Sequence, residues 1–285
     1  MSDYRIGMIV PSSNLTMETE LPRMMRAREK IIPEDRFTFH ASRMRMKHVT
    51  PEELVRMNAQ TERATLELTD ARPDVIASAC LVAIMAQGAG YHCHAEAQIS
   101  GVLDTEGLDV PVVSSAGALL RGLDALGARR IAIVTPYMKP LTKLVADYIE
   151  DAGIEVVDAL SLEVSDNLEV ARLDPEGLRE HWRRVDTRDA DALVLSACVQ
   201  MPSLAAIQPV EEEAGLPVLS AATATVFTIL AELGLTTHVP GAGHLLSGEV
   251  PMEPAPRRAP EPVPVTTAPP TDGTDGTDGQ PAMAQ

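Results

Sequence analysis

Two stretches decide the fold: "DVIASACLVAIM" at 74–85 and "DALVLSACVQMP" at 191–202. Each begins with a short apolar run of strand length, and each run ends in Ser-Ala-Cys. Short apolar runs bounded by polar residues read as buried strands. Working outward, the same reading finds strand-like runs at 5–10, 37–42, 74–79, 110–115, 130–135, 154–160, 192–197 and 216–221. Longer stretches with helical spacing separate them, at 51–68, 116–127, 138–153 and 223–234. Near-continuous apolar strands alternating with helices predict an α/β fold with parallel sheets covered on both faces.

The order of elements repeats. "RIGMIVP" (5–11) resembles "RIAIVTP" (130–136), the two Cys stretches resemble each other, and "PVVSSAGALLRGLDALG" (111–127) resembles "PVLSAATATVFTILAELG" (217–234). The offsets of 125, 118 and 106 residues are too long for a solenoid repeat. They predict one α/β unit used twice: two pseudo-symmetric lobes, each a parallel sheet flanked by helices, with the active site in the cleft between them. The two-lobe region spans residues 1–250, divided approximately into 1–115 plus 217–250 and 116–216. Residues 251–285 hold nine of the 22 prolines and a TDG repeat. That composition predicts a disordered acidic tail, since little in it could bury apolar area.

The formal charge of −17 argues against nucleic-acid or anionic-membrane partners, which reward basic patches. No apolar run reaches the roughly 20 residues that cross a bilayer. The N-terminus lacks the basic and apolar regions of a signal peptide. Three cysteines cannot form a fully paired framework, so free thiols in a reducing cytoplasm are expected.

Ligands of parallel α/β sheets bind beyond the carboxyl ends of the strands. Cys80 and Cys198 both stand at such an end, so two facing lobes would set two thiols across one cleft. The residues after them, Leu81 and Val82 in one lobe and Val199 in the other, are expected to begin helical turns. Their N–H groups would lower the thiol pKa and hold a substrate carboxylate. Asn14, Ser115, Tyr137 and Asn167, at further strand ends, would ring the cleft with neutral donors. "YHCHAE" (91–96) offers His92, Cys93 and His94, but neighbours this close in sequence do not share a helix face. No metal site is expected there, and Cys93 reads as a structural thiol. Neither "GAG" (88–90 and 241–243) opens a dinucleotide-binding loop. "ASRMRMKHV" (41–49) is a basic patch, either a solvated loop or one in which Arg43 or Arg45 orders the cleft mouth.

"IVPSSN", "SACLVAIM", "SSAGAL", "VTPYM", "SDN" and "CVQMPS", in this order, resemble the bacterial maleate cis-trans isomerases of the aspartate/glutamate racemase superfamily. The resemblance covers about residues 4–250. It implies a cofactor-independent isomerisation of maleate to fumarate. Cys80 would be the nucleophile that forms a succinyl-like thioether, Cys198 would handle the proton, and Asn14, Tyr137 and Asn167 would bind the carboxylates. The expected partner is a small dicarboxylate, and the expected assembly a homo-oligomer, a dimer. The alternatives within the superfamily are an amino-acid or hydantoin-type racemase and an arylmalonate-type decarboxylase. The decarboxylases of the family carry one catalytic cysteine, so a second one favours the isomerase or a racemase. A non-catalytic two-lobed binding protein is the rival from another class. The paired thiols weigh against it.

Overall fold

The computed structural model describes residues 2–251. The expected tail, from residue 252 onward, lies outside the described residues. The first half of the chain runs β1 (Ser2–Pro11), α1 (Met17–Glu29), β2 (Asp35–Met44), α2 (Pro51–Asn58), α3 (Thr61–Thr69), β3 (Val75–Ser78), α4 (Leu81–Met85), α5 (Tyr91–Thr105), β4 (Val112–Ser114) and α6 (Ser115–Ala125). The second half runs β5 (Arg130–Thr135), α7 (Lys139–Asp151), β6 (Glu155–Ser161), α8 (Asn167–Val170), α9 (Pro175–His181), β7 (Ala192–Ser196), α10 (Leu204–Ala214), β8 (Val218–Ser220) and α11 (Ala221–Glu232).

These strands form two four-stranded parallel sheets, ordered β2-β1-β3-β4 and β6-β5-β7-β8. The two orders are the same, so the repeat seen in the sequence is a repeat of topology. In each sheet the first strand of the unit pairs with both the second and the third, Ile6 beside Val75 and Ile131 beside Ala192. The inner strands are buried over most of their length: Ile6 to Pro11 in β1, Ile131 to Thr135 in β5, and all of β3 and β7. Helices pack on the sheets from the flanking segments, which is why these runs are apolar at every position rather than at alternate ones.

Two departures from the sequence reading have local causes. The helical stretch 51–68 is broken into α2 and α3. At the break the Gln60 side chain leaves the helix direction and bonds the main chain of Arg45, accepting at 3.0 Å from its N–H. Helix α1, which the spacing did not pick out, carries Pro22 and a mixed charged face, but buries Met17, Leu21, Met24 and Met25. It also buries Arg28, whose guanidinium meets Asp35 at 2.7 Å and donates to the carbonyls of Thr236 and His238. Helix α11 packs against α6, and also reaches α1, β3 and β4. A Cβ on Gly122 would stand 3.2 Å from that of Ala224, so glycine lets these two helices approach. Among the described residues, no helix is long and apolar enough to cross a membrane.

Candidate active site

Cys80 lies two residues beyond β3 and Cys198 two residues beyond β7, the third strand of each sheet. Between β3 and α4 the chain must reverse within two residues. Cys80 takes up the turn with φ 88°, ψ 66°, a left-handed conformation that a side chain rarely adopts. Strain of this kind persists where the surrounding structure over-determines it, and such positions cluster at functional sites. After Cys198 the chain does not enter a helix at once, contrary to the expectation for Val199. Pro202 disfavours helical backbone at Met201, and α10 starts only at Leu204. The intervening turn folds back on the thiol, with the Gln200 N–H donating to Cys198 Sγ at 3.3 Å.

The expectation that helix-start N–H groups lower the thiol pKa is also overturned. Burial pushes Cys80 up to about 12, against a smaller opposing effect from the Ala83 N–H. Cys198 is raised as well, again by burial, although the Tyr137 hydroxyl and the Gln200 N–H both favour its thiolate. Tyr137 is itself held well above the usual phenol range by burial and by Cys198 beside it. The physical reason is that desolvation scales with everything packed around a group, whereas one or two N–H dipoles return only part of the lost hydration. The resting pocket therefore holds two neutral thiols and a neutral phenol.

Asn14 and Asn167 come from opposite halves of the chain. Asn14 is 2% exposed; its Oδ1 accepts from Met17 N–H at 3.0 Å at the start of α1. Asn167 opens α8, where Asp166 caps the first turn by accepting from Leu168 and Glu169. Its Nδ2 donates to Ser13 Oγ at 2.7 Å, a bond between the two halves. Arg43 orders the mouth: it donates to the carbonyls of Ser12 and Asn14 and pairs with Glu18. Of the two alternatives for the basic patch, the ordering one applies to Arg43.

Cys80, Leu81, Val82, Asn14, Tyr137, Asn167, Cys198 and Val199 all line one pocket. Pro11, Met46, Val49 and Gln200 complete the lining, and sequence reasoning assigned a role to none of them. Gln200 stood within a recognised motif; Met46 and Val49 gave no local signal, because only the path of the chain after β2 carries them over the cleft. Ser12 Oγ bonds the main chain of Met46, and His48 pairs with Asp166 across the cleft as an isolated antiparallel bridge. No charged side chain lines the pocket.

Ser115 is not in the pocket lining. It is the first residue of α6, fully buried, and its Oγ has no hydrogen-bond partner among the described residues. The neighbouring Ser114 makes the cap, accepting from Gly117 at 3.0 Å while donating to Glu96. "YHCHAE" lies on α5: His92 bonds the Tyr148 hydroxyl at 2.7 Å, and Cys93 is exposed. Among the described residues no group of three His, Cys, Asp or Glu side chains could hold a metal ion.

The chain matches the arylmalonate decarboxylase (Amdase) family over residues 6–246. A maleate isomerase of Alcaligenes faecalis is 59% identical over 252 residues, which span 88% of this chain and 100% of that one. A cysteine-to-alanine variant of the maleate isomerase Iso from Pseudomonas putida, crystallised with maleate, superposes with a TM-score of 0.86 at 55% identity, covering 87% of this chain and 99% of that chain. A cysteine-to-serine variant of the Nocardia farcinica maleate cis-trans isomerase, with a covalently bound succinylcysteine intermediate, superposes with a TM-score of 0.84 at 48% identity, covering 87% of this chain and 100% of that chain.

Proposed function

This chain belongs to the arylmalonate decarboxylase family, and we propose that within it Cys80, Cys198 and the neutral donors around them isomerise maleate to fumarate. The chain is an enzyme, a cis-trans isomerase acting on maleate. A cis alkene cannot rotate while its π bond is intact, and covalent catalysis removes that bond at modest cost. As Cys80 Sγ adds to one alkene carbon, its proton passes to a carboxylate oxygen of the bound dianion; an S–C bond forms and the π bond breaks. The electron pair moves toward the carboxylate on the neighbouring carbon, and Cys198 donates its proton there to give a succinyl thioether. Rotation about the new C–C single bond follows. Cys198 recovers its proton from that carbon, the S–C bond breaks, the carboxyl proton returns to Cys80 Sγ, and fumarate leaves.

The observation that carries this reading is the pair of thiols at matching strand ends, meeting at one pocket whose lining is neutral. A dianion and a pre-formed thiolate would repel each other in a buried site, so two resting thiols suit a doubly charged substrate. Asn14 Nδ2, Tyr137, Asn167 and the N–H groups of Leu81, Val82 and Val199 would hold the carboxylates and stabilise the enolate-like charge. A racemase acting on amino acids would want a carboxylate for the substrate ammonium. The pocket lining has none, and Asp166 is occupied in capping α8. The packing of α11 on α1, β3 and β4 supports placing that helix with 1–115, in a lobe division of 1–115 plus 217–250 against 116–216, although β8 pairs with β7 in the other sheet. A dimeric assembly in the cytoplasm belongs to the same proposal.

The test is incubation with maleate followed by product analysis and mass spectrometry of the Cys80 peptide. Wild type should form fumarate. Cys80→Ala should form none, and Cys198→Ser should accumulate an adduct of one maleate on Cys80. Fumarate formation by Cys80→Ala at near wild-type rate would sink the covalent route. Faster racemisation of aspartate than isomerisation of maleate by the wild type would favour the racemase.

A further inference from the structure

Gln200 makes a set of contacts that no other pocket residue makes. It is 3% exposed and sits two residues after Cys198. Its Nε2 donates to the carbonyl of Ser13 at 2.8 Å and to the carbonyl of Asn167 at 2.8 Å. Its Oε1 accepts from the N–H of Leu15 at 2.9 Å. Ser13 and Leu15 flank Asn14 on either side, and the third partner is the main chain of Asn167 itself. One planar amide thus joins the main chain on both sides of Asn14 to that of Asn167, in the opposite half of the chain. Both halves of the pocket place an asparagine here.

We propose that Gln200 is the positioning residue that sets the separation of Asn14 and Asn167, and through them the spacing at which two carboxylates are held. This rests on the reading above that those asparagines bind the substrate. An amide suits the task because it offers two donors and an acceptor in one plane. Glutamate would aim an oxygen at two carbonyls, asparagine is one methylene short, and methionine has no donor. The base from which the side chain reaches is also fixed. The Gln200 carbonyl accepts from Thr16 Oγ at 2.6 Å, and its N–H holds Cys198 Sγ. Three residues on, buried Glu20 accepts from the N–H groups of Ser203 and Leu204 at 2.7 and 2.8 Å. The halves of the protein therefore keep other ties when the amide is removed, among them the Asn167–Ser13 side-chain bond and the His48–Asp166 bridge, but neither of these bonds the main chain on both sides of Asn14.

The experiment is steady-state kinetics on maleate for wild type, Gln200→Met and Gln200→Asn, with melting temperature measured on each. Gln200→Met keeps the volume and removes all three bonds; Gln200→Asn keeps an amide that cannot span the gap. Misplacement of binding groups by fractions of an ångström to an ångström costs on the order of tenfold to a hundredfold in kcat/KM. Most of the loss should be in KM, assayed well below the melting transition. A KM within twofold of wild type in both variants would overturn the proposal. So would recovery of both variants unfolded, because the amide would then hold the fold rather than the site. If wild type itself leaves maleate unchanged, the isomerase reading fails first and takes this inference with it.

Discussion

At Cys80, burial and the adjacent helix start act on the thiol in opposite directions, and burial is the larger. Burial lifts its pKa from an ordinary 9.0 to about 12. A difference of that size corresponds to roughly 4 kcal/mol and about a thousandfold less thiolate near neutral pH. The perturbation is pH itself, applied to wild type and to Cys80→Ala, with thiolate ultraviolet absorbance as the readout and circular dichroism to report the fold. The wild-type minus variant difference should show no step while the protein is native below pH 9. In denaturant, with hydration restored, the step should fall near 9.0. The linkage has a definite sign. A folded-state pKa above the unfolded value leaves stability intact below about pH 9 and drains it as pH rises toward 12. Wild type should accordingly lose stability faster than Cys80→Ala over that alkaline window. A thiolate step below pH 9 with the fold intact would refute the reasoning, because the N–H groups beside Cys80 would then outweigh its burial.

Two further perturbations isolate other parts of the argument. Asn14→Asp preserves the acceptor for the Met17 N–H at the start of α1 but replaces the Nδ2 donor with a negative oxygen. It should leave the melting temperature within a few degrees and lower kcat/KM by at least about 1–3 kcal/mol; unaltered kinetics would remove Asn14 from the substrate contacts. Arg28→Met keeps the aliphatic bulk and strands the Asp35 carboxylate and two carbonyls in the interior. Breaking a buried pair from one side costs about 3–5 kcal/mol. For a protein of this size that is on the order of a 10 °C drop in melting temperature, at roughly 2–4 °C per kcal/mol. A calorimetric shift under about 2 °C would mean that water reaches Asp35.

The legible part of this protein was the part written in short-range pattern. Each expected strand has a counterpart in the fold, because strand length and near-continuous apolarity are local properties. The helices were less legible. The stretch 51–68 carries one periodicity but two helices, since the Gln60 side chain bonds Arg45, 15 residues away. At the site, Cys80, Cys198, Asn14, Tyr137 and Asn167 could be picked out because strand-end polar residues are visible one motif at a time. Ser115 shared that signal and does not reach the pocket, because Ser114, one residue earlier, is the one that caps α6. Met46 and Val49 had no signal, as covering a cleft depends on where a connecting segment travels.

The sequence by itself determined the duplicated α/β unit, the equivalent placement of two cysteines and the neutral chemistry offered to a substrate, because each follows from residue type and spacing along the chain. Only the tertiary structure decided the charge state of those cysteines and the register of the two asparagines. Desolvation of Cys80 sums over neighbours drawn from both halves of the chain, and it reverses the sign that the adjacent helix start alone would predict. The Gln200 amide bonds main-chain atoms of Ser13 and Leu15, 187 and 185 residues away. No spacing rule encodes a contact of that kind, since it exists only once both sheets have formed and faced each other.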